Sequence, residues 1–404
     1  ALSVFGRPAG GAFADGVSRV AYSEADVAGR RYVIDLMLAA GLDTRIDPAG
    51  NIFGRRAGTD SSLPPVLFGS HIDSVPSGGN FDGDLGSLAA LGVIEACDRA
   101  NHRTRHPLQM VVWSAEEGVA FGRGLAGSRI VAGDVKPADM DAVWNGLRRS
   151  DAVRKIGGDP DRVMDAVRPK GAHHCYLELH IEQGGTLWQR NIRLGIVEGI
   201  VGIDRYRVVL EGFANHAGTT PMNQRRDALV TAAKIILAVR ETVTAEPGRQ
   251  VGTVGYVRVE PGAPNVIPGR VEFPVEIRDL SMEKIKMLAE RVRSRAADLA
   301  AADNVGFTWE LTNSHEGALT DRRIRGMIQK AAEEMRVVTL TMPSGAGHDA
   351  QSMARLCPMG MIFVPSRDGI SHSPQEYSRS EEVACGCEAL YRTILRLDAL
   401  ERFT

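Results

Sequence analysis

Hydrophobic positions in the first two hundred residues follow two periods. Unbroken apolar runs at Val66-Leu67-Phe68 and Gln109-Met110-Val111-Val112-Trp113 read as buried strands, whereas 23–40 and 84–100 repeat their apolar positions at helical spacing. Strands and helices alternating in this order generate a parallel sheet with helices on its faces. From about residue 203 the texture changes. A strand at Tyr206-Arg207-Val208-Val209-Leu210 precedes a helix over about 223–245, strands over 250–260 and 270–279, a helix over 281–301 and a strand over 306–312. This β-α-β-β-α-β order is a ferredoxin-like plan complete in itself. Val337-Val338-Thr339-Leu340 and Met361-Ile362-Phe363-Val364 then resume the first texture. The expected fold is α/β, with one domain built from 1–203 and 316–404 and an α+β ferredoxin-like domain inserted over 204–315.

Composition narrows the class. Hydrophobic residues make up 44% and charged residues 24% of 404 positions, enough apolar surface for large cores and too much for a disordered chain. Lys and Arg number 48 against 50 Asp and Glu, a formal charge of −2, with no long block of one sign. Neither a nucleic-acid backbone nor an anionic membrane is an expected partner. No apolar run approaches the length of a membrane span, and the first residues lack the charged-then-apolar order of a secretory leader. A start on Ala1 leaves room for a short upstream piece. The five cysteines (Cys97, Cys175, Cys357, Cys385, Cys387) are odd in number, and Cys385-Gly386-Cys387 is too tight for an ordinary bridge. They read as free thiols of a reducing compartment, which places the chain in the cytoplasm.

Four segments put His, Asp and Glu at the ends of predicted strands, where open α/β sheets bind ligands. In Gly69-Ser70-His71-Ile72-Asp73 the two polar side chains leave the strand on one side. Asp73 is placed to orient the His71 imidazole while the other ring nitrogen faces a metal. Asp82 follows in a glycine-rich turn, free to reach the same ion. Glu116 and Glu117 come directly after an apolar strand. Adjacent carboxylates on extended chain point opposite ways, so one serves a cation and the other faces the substrate side as a proton carrier. His180 ends an apolar alternation, and His372 lies in Ile370-Ser371-His372-Ser373-Pro374. Each alone reads equally well as an ordinary polar or turn residue. Together, three imidazoles (71, 180, 372) and the carboxylates of Asp82 and one glutamate form a thiolate-free donor set suited to two zinc-like divalent ions. His102, His106, His173, His174 and His315 fit no ligand spacing and are expected to be exposed or structural.

The strings GSHIDSVPSGGNFDGDLG, EEGVAFGRGLAGSR, ELHIEQG, GFANHAGTTPM and SHSPQEY closely resemble the M20-type metallo-amidohydrolases of the hydantoinase/carbamoylase branch, in order, from about residue 17 to 398. That branch includes N-carbamoyl-L-amino acid hydrolases, β-ureidopropionases and allantoate amidohydrolases. The resemblance implies a mixed-sheet di-metal hydrolase domain with helices on both faces, and an inserted domain that dimerises. It implies His71 and His180 on one ion, Glu117 and His372 on the other, Asp82 bridging both, and Glu116 as general base. In peptidase relatives the position of His180 is typically a carboxylate, so histidine there points to the amidohydrolase branch. The ions would be Zn²⁺, with Mn²⁺, Co²⁺ or Ni²⁺ as alternatives.

For the inserted domain the resemblance implies that His216 stabilises the tetrahedral intermediate, often reaching in from a partner subunit. It implies that Asn265 and Arg278 hold a substrate carboxylate, for which an arginine fork is suited. Gln183 and His348 match positions near the substrate. The reaction so implied is hydrolysis of the carbamoyl C–N bond of N-carbamoyl-L-amino acids, with allantoate or N-acyl amino acids as alternative substrates. A non-catalytic binding protein of the same fold would be expected to have lost a ligand or the base, and none is missing. Trp113-Ser114-Ala115 departs locally from the Phe/Asn-rich form of many relatives.

Overall fold

The computed structural model describes residues 1–401 and 403. The chain divides into two compact units, one formed by Ala1–Gly199 and the chain from Leu319 onward, the other by Ile200–Ala318.

The first unit is layered around a mixed sheet. Its strands run in the order Asp43–Ile46, Ile52–Arg56, Leu108–Trp113, Val66–His71, Cys175–Ile181, Met359–Val364, Leu194–Ile200, with Thr339–Ser344 also on Leu194–Ile200. The four central strands are parallel to one another and the flanking pairs are antiparallel. Every residue of Val66–His71, Leu108–Trp113, Cys175–Ile181 and Met359–Val364 is buried, as expected of strands covered on both faces. Helices Asp84–Arg99, Arg322–Glu334 and Ser380–Asp398 cover one face, with Val93, Ile94, Ile328, Leu390 and Ile394 packed into the main core. Helices Ala126–Val131 and Asp349–Met353 lie on the other. Because the central strands are parallel, their carboxyl ends share one edge. His71 is level with Trp113, and His180 with Phe363. The catalytic candidates of four segments are thereby gathered at one place.

The start of helix Asp84–Arg99 is anchored by a buried cation. Arg19 is 1% exposed; it donates to both oxygens of Asp84 at 2.5 Å and to the carbonyls of Ile72 and Phe5. Removing one member of a buried pair leaves an uncompensated charge, at a cost of about 3–5 kcal/mol. Arg19→Leu is therefore expected to lower the unfolding free energy obtained from urea denaturation by that amount, while Arg19→Leu with Asp84→Leu recovers most of it. Equal losses in the single and double variants would show that the pair itself matters little.

The second unit is an antiparallel sheet in the order Val251–Thr253, Arg270–Asp279, Gly202–Glu211, Gly306–His315, with Arg258–Glu260 also on Arg270–Asp279. Helices Ala228–Ala245 and Met282–Ala302 pack on one face, their Ile235 and Leu288 sharing a core with Val208, Leu210, Phe273 and Val275 of the sheet. This is the ferredoxin-like order expected from the sequence.

Of the boundaries that differ, three are instructive. The helix expected from 223 begins at Ala228, because the Asp227 carboxylate caps it by accepting from the amides of Leu229 and Val230. The strand expected over 250–260 is two short pieces, both on Arg270–Asp279. The strand expected at 337–340 is Thr339–Ser344, because Arg336 turns left-handed (φ 55°) and the Val337 amide closes the preceding helix on Ala332. All five cysteines are free thiols, and among the described residues no helix is long and apolar enough to cross a membrane.

Candidate metal and catalytic site

His71 is the last residue of its strand and is 1% exposed. Its Nδ1 lies 3.0 Å from the main-chain carbonyl of Asp73, so Nδ1 carries the ring proton and Nε2 is left as a lone-pair donor. The sequence reading aimed the Asp73 carboxylate at this ring. In the structure it lies 3.8 Å from Nδ1 and accepts instead from the amides of Glu116 (3.0 Å) and Glu117 (3.2 Å). Asp73 thus orients the imidazole through its backbone and the glutamate loop through its side chain. Gly83 passes so close that a Cβ there would lie 2.4 Å from the His71 ring.

His180 is likewise 1% exposed, with Nδ1 3.0 Å from the Ile181 carbonyl and Nε2 turned inward, 3.3 Å from the Gly83 amide. Between the histidines stands Asp82. Its Oδ1 is 3.2 Å from His180 Nε2 and 3.7 Å from His71 Nε2; its Oδ2 is 3.2 Å from His372 Nε2. Glu117 Oε2 lies 3.3 Å from the same nitrogen of His372. Two donors sharing a tetrahedral ion at bonds of about 2.0–2.1 Å sit about 3.3 Å apart. The atoms fall into one group from His71, Asp82 and His180 and another from Asp82, Glu117 and His372, with Asp82 common to both.

Glu116 stands apart from these groups. Its Oε2 is 3.6 Å from His71 Nε2. Ala115, with φ 52°, turns the chain sharply before the glutamate pair. Gln183 (φ 57°) and His372 (φ 54°) are left-handed as well, so three of the site's loops hold a non-glycine residue in a costly conformation. Gln183 donates to Asp82 Oδ2 at 2.7 Å. His348 is 1% exposed, pairs with the Ser344 hydroxyl and lies edge-on to His180, with ring centroids 4.4 Å apart.

Charge in this cluster is unbalanced without cations. Burial, then the charges of Glu117, Asp349 and Asp73, pushes the Glu116 carboxyl well above the carboxylate range. Burial with Asp82 and Asp73 pushes Glu117 up to about 10. Burial alone would also raise Asp82, but hydrogen bonds from His180 and His372 hold it well below the usual range. For His180 burial works against the charged form, yet the bond to Asp82 prevails and lifts it to about 9. Without cations, burial and mutual repulsion favour the protonated forms of Glu116 and Glu117, and the pairing with Asp82 favours the charged form of His180. Divalent ions would replace these protons, and Glu117 Oε1, buried with no hydrogen-bond partner, is open to one. The donor set therefore fits the two-ion centre.

Several residues that matter here were not marked by the sequence. Glu376, 2% exposed, accepts from the amides of Phe81 (2.9 Å) and Asp82 (3.1 Å). Behind His180, the Glu178 carboxylate accepts from Ser70, Tyr176 and the Ala350 amide. Asp349 is fully buried beside it. None of them has a spacing signal of its own. His106, His173 and His174 are buried and His315 is exposed; His106 sits between the carbonyls of Pro64 and Leu400 at 2.7 and 2.8 Å.

His216, Asn265 and Arg278 belong to the inserted unit. His216 and Asn265 are neighbours there: His216 pairs with Val266, and the Ala217 amide donates to the Asn265 carbonyl. His216 is exposed, and its Nδ1 accepts from the amides of Gly218 (3.0 Å) and Thr219 (3.2 Å). That fixes the proton on Nε2 and makes the outer nitrogen a donor. Arg278 lies on the central strand Arg270–Asp279, where its Nε donates to Glu276 at 2.7 Å.

Comparison with known proteins identifies the family. Residues 67–396 match the description of Peptidase family M20/M25/M40. The chain is 39% identical to an N-carbamoyl-L-amino acid amidohydrolase of Geobacillus stearothermophilus over 95% of this chain and 93% of that one. It is 36% identical to a ureidoglycolate hydrolase of Arabidopsis thaliana, covering 94% of this chain and 82% of that one. A crystal structure of a hydantoinase/carbamoylase family amidase from Burkholderia ambifaria superposes with a TM-score of 0.91 at 32% identity, covering 98% and 95% of the two chains. The chain belongs to peptidase family M20/M25/M40, on its hydantoinase/carbamoylase amidase branch.

Proposed function

We propose that the chain hydrolyses the carbamoyl C–N bond of N-carbamoyl-L-amino acids, giving the amino acid, carbon dioxide and ammonia, with two divalent cations of which Zn²⁺ is the first choice. The observation that carries the reading is Asp82 presenting one oxygen to His180 and the other to His372, with Glu116 left outside both donor groups. His71, His180 and Asp82 would hold one cation; Glu117, His372 and Asp82 would hold the other. When bound, the pair lowers the pKa of water and polarises the scissile carbonyl. Glu116 accepts the proton of the attacking water and returns it to the leaving nitrogen. Asp73 holds the His71 ring and the Glu116 amide in the geometry this needs. Gln183 and His348 are assigned to the substrate side.

In the inserted unit, His216 is assigned to the developing oxyanion, for which its Nε2–H is the required donor. Asn265 and Arg278 are assigned to the substrate carboxylate. The pairing of Arg278 Nε with Glu276 restrains the guanidinium plane, and a guanidinium suits a carboxylate bidentately. The same reading takes the chain as a homodimer joined through the inserted unit, whose outermost strand Gly306–His315 pairs within the chain only with Gly202–Glu211 among the described residues.

A second reading, supported by the ureidoglycolate hydrolase relative, keeps the same chemistry and changes the substrate to another carboxylate-bearing ureido compound, with allantoate in the same class. One panel separates them. Protein stripped with chelator and reloaded with Zn²⁺, Mn²⁺, Co²⁺ or Ni²⁺ is offered N-carbamoyl-L- and D-amino acids, N-carbamoyl-β-alanine, ureidoglycolate, allantoate and N-acyl amino acids, and ammonia or amine release is measured. Chelation should abolish turnover, and reloading should restore it with the N-carbamoyl-L-amino acids fastest. Turnover confined to ureidoglycolate or allantoate would establish the second reading. Binding without turnover in every metal would make the chain a non-catalytic member of the fold.

A further inference from the structure

Asp82 and His372, proposed to meet at one cation, come from opposite ends of the chain and from loops rather than strands. Their frame must be set by something between them. The Glu376 side chain hydrogen-bonds to both loops. Its Oε1 accepts from the amides of Phe81 and Asp82, at 2.9 and 3.1 Å. Its Oε2 lies 2.8 Å from the hydroxyl of Ser371, the residue before His372. That hydroxyl is also 3.0 Å from Asp82 Oδ2. The approach is close enough to dictate the neighbouring residue: a Cβ on Gly79 would lie 2.0 Å from Glu376 Oε1.

We propose that Glu376 is a positioning residue that clamps the Asp82 turn to the His372 loop and so sets the separation of the donors assigned to the second cation. This rests on the two-cation reading above. The clamp acts through its acceptor geometry. Glutamine in its place keeps Oε1 as acceptor for the two amides, and its amide group donates to the Ser371 hydroxyl, which then donates to Asp82 Oδ2. Alanine removes every bond made by the side chain at 376 and leaves only that of Ser371 to Asp82 Oδ2, and aspartate withdraws the carboxylate by one methylene.

The test titrates stripped protein with Co²⁺, following the d–d spectrum and the calorimetric stoichiometry, with the thermal unfolding midpoint of the stripped protein measured in parallel. Wild type and Glu376→Gln are expected to bind two equivalents with matching spectra. Glu376→Ala and Glu376→Asp are expected to bind the second equivalent at least about tenfold more weakly, as variants of groups supporting metal ligands usually do. Two equivalents bound alike by Glu376→Ala would overturn the inference, as would Glu376→Gln behaving like Glu376→Ala. Should Glu376→Ala fail to fold, Glu376→Asp and the glutamine rescue still decide the matter. A wild type that takes up no Co²⁺ would instead remove the two-cation reading beneath it.

Discussion

Replacing Glu116 by glutamine should leave the cations in place and cut turnover by at least about a hundredfold. The substitution preserves the side chain's shape and removes only its ability to take up a proton, and positioned general bases contribute about 10²–10⁴ in rate. That corresponds to at least about 2.7 kcal/mol of activation free energy. The loop is not expected to move, because the Glu116 and Glu117 amides are held by the Asp73 carboxylate whatever the side chain at 116. Metal content should be unchanged, since the donor groups include neither Glu116 oxygen. Stability should hold or rise. Burial and the charges of Glu117, Asp349 and Asp73 all act against an ionised Glu116, and glutamine relieves that repulsion, the usual exchange of activity for stability at a strained site. Metal analysis, the unfolding midpoint and kcat on the best substrate of the panel check the three statements. Unchanged kcat would exclude Glu116 as the proton carrier; lost metal would make it a ligand.

The strand-borne half of this site was legible in the sequence because period-two alternation and burial place a side chain once the strand is known. His71 and His180 lie at the carboxyl ends of buried parallel strands, and both turn Nε2 inward toward Asp82. The loop-borne half was not. The expectation for Glu116 and Glu117 assumed extended chain, but Ala115 turns left-handed just before them and the Asp73 carboxylate reaches across 43 and 44 positions to hold both amides. Glu376 and the Phe81–Asp82 amides are 295 and 294 positions apart. No local pattern encodes such a pairing, which appears only when the last parallel strand brings the C-terminal loop to the same sheet edge. The displaced helix start at Ala228 has a similar cause. Arg225, inside the helix expected from 223, donates to the carbonyls of Ala217 and Thr220 and so belongs to the His216 loop.

Asp82→Asn should remove one cation selectively, and the structure says which. An aspartate offers two equivalent oxygens, one toward His180 and His71 and the other toward His372. Asparagine offers a single oxygen and an NH₂ group that cannot ligate. Its orientation is decided by the partners of Oδ2. Gln183 donates there at 2.7 Å and Ser371 faces it at 3.0 Å, so an NH₂ on that side would confront the Gln183 donor. The oxygen therefore stays with Gln183 and His372, and the NH₂ turns to His180, where Nε2 can accept from it. The cation assigned to His71 and His180 loses its carboxylate, while the one at Glu117 and His372 keeps three donors: an oxygen of residue 82, an oxygen of Glu117 and Nε2 of His372. Metal content should fall from two equivalents to one, with activity reduced to the assay floor because Glu116 faces His71 on the emptied side. A further His372→Ala substitution should remove the remaining equivalent, and His180→Ala in the same background should not. If His180→Ala rather than His372→Ala abolished the residual binding, the orientation argument would be wrong; if two equivalents survived in Asp82→Asn, Asp82 would not be the shared carboxylate.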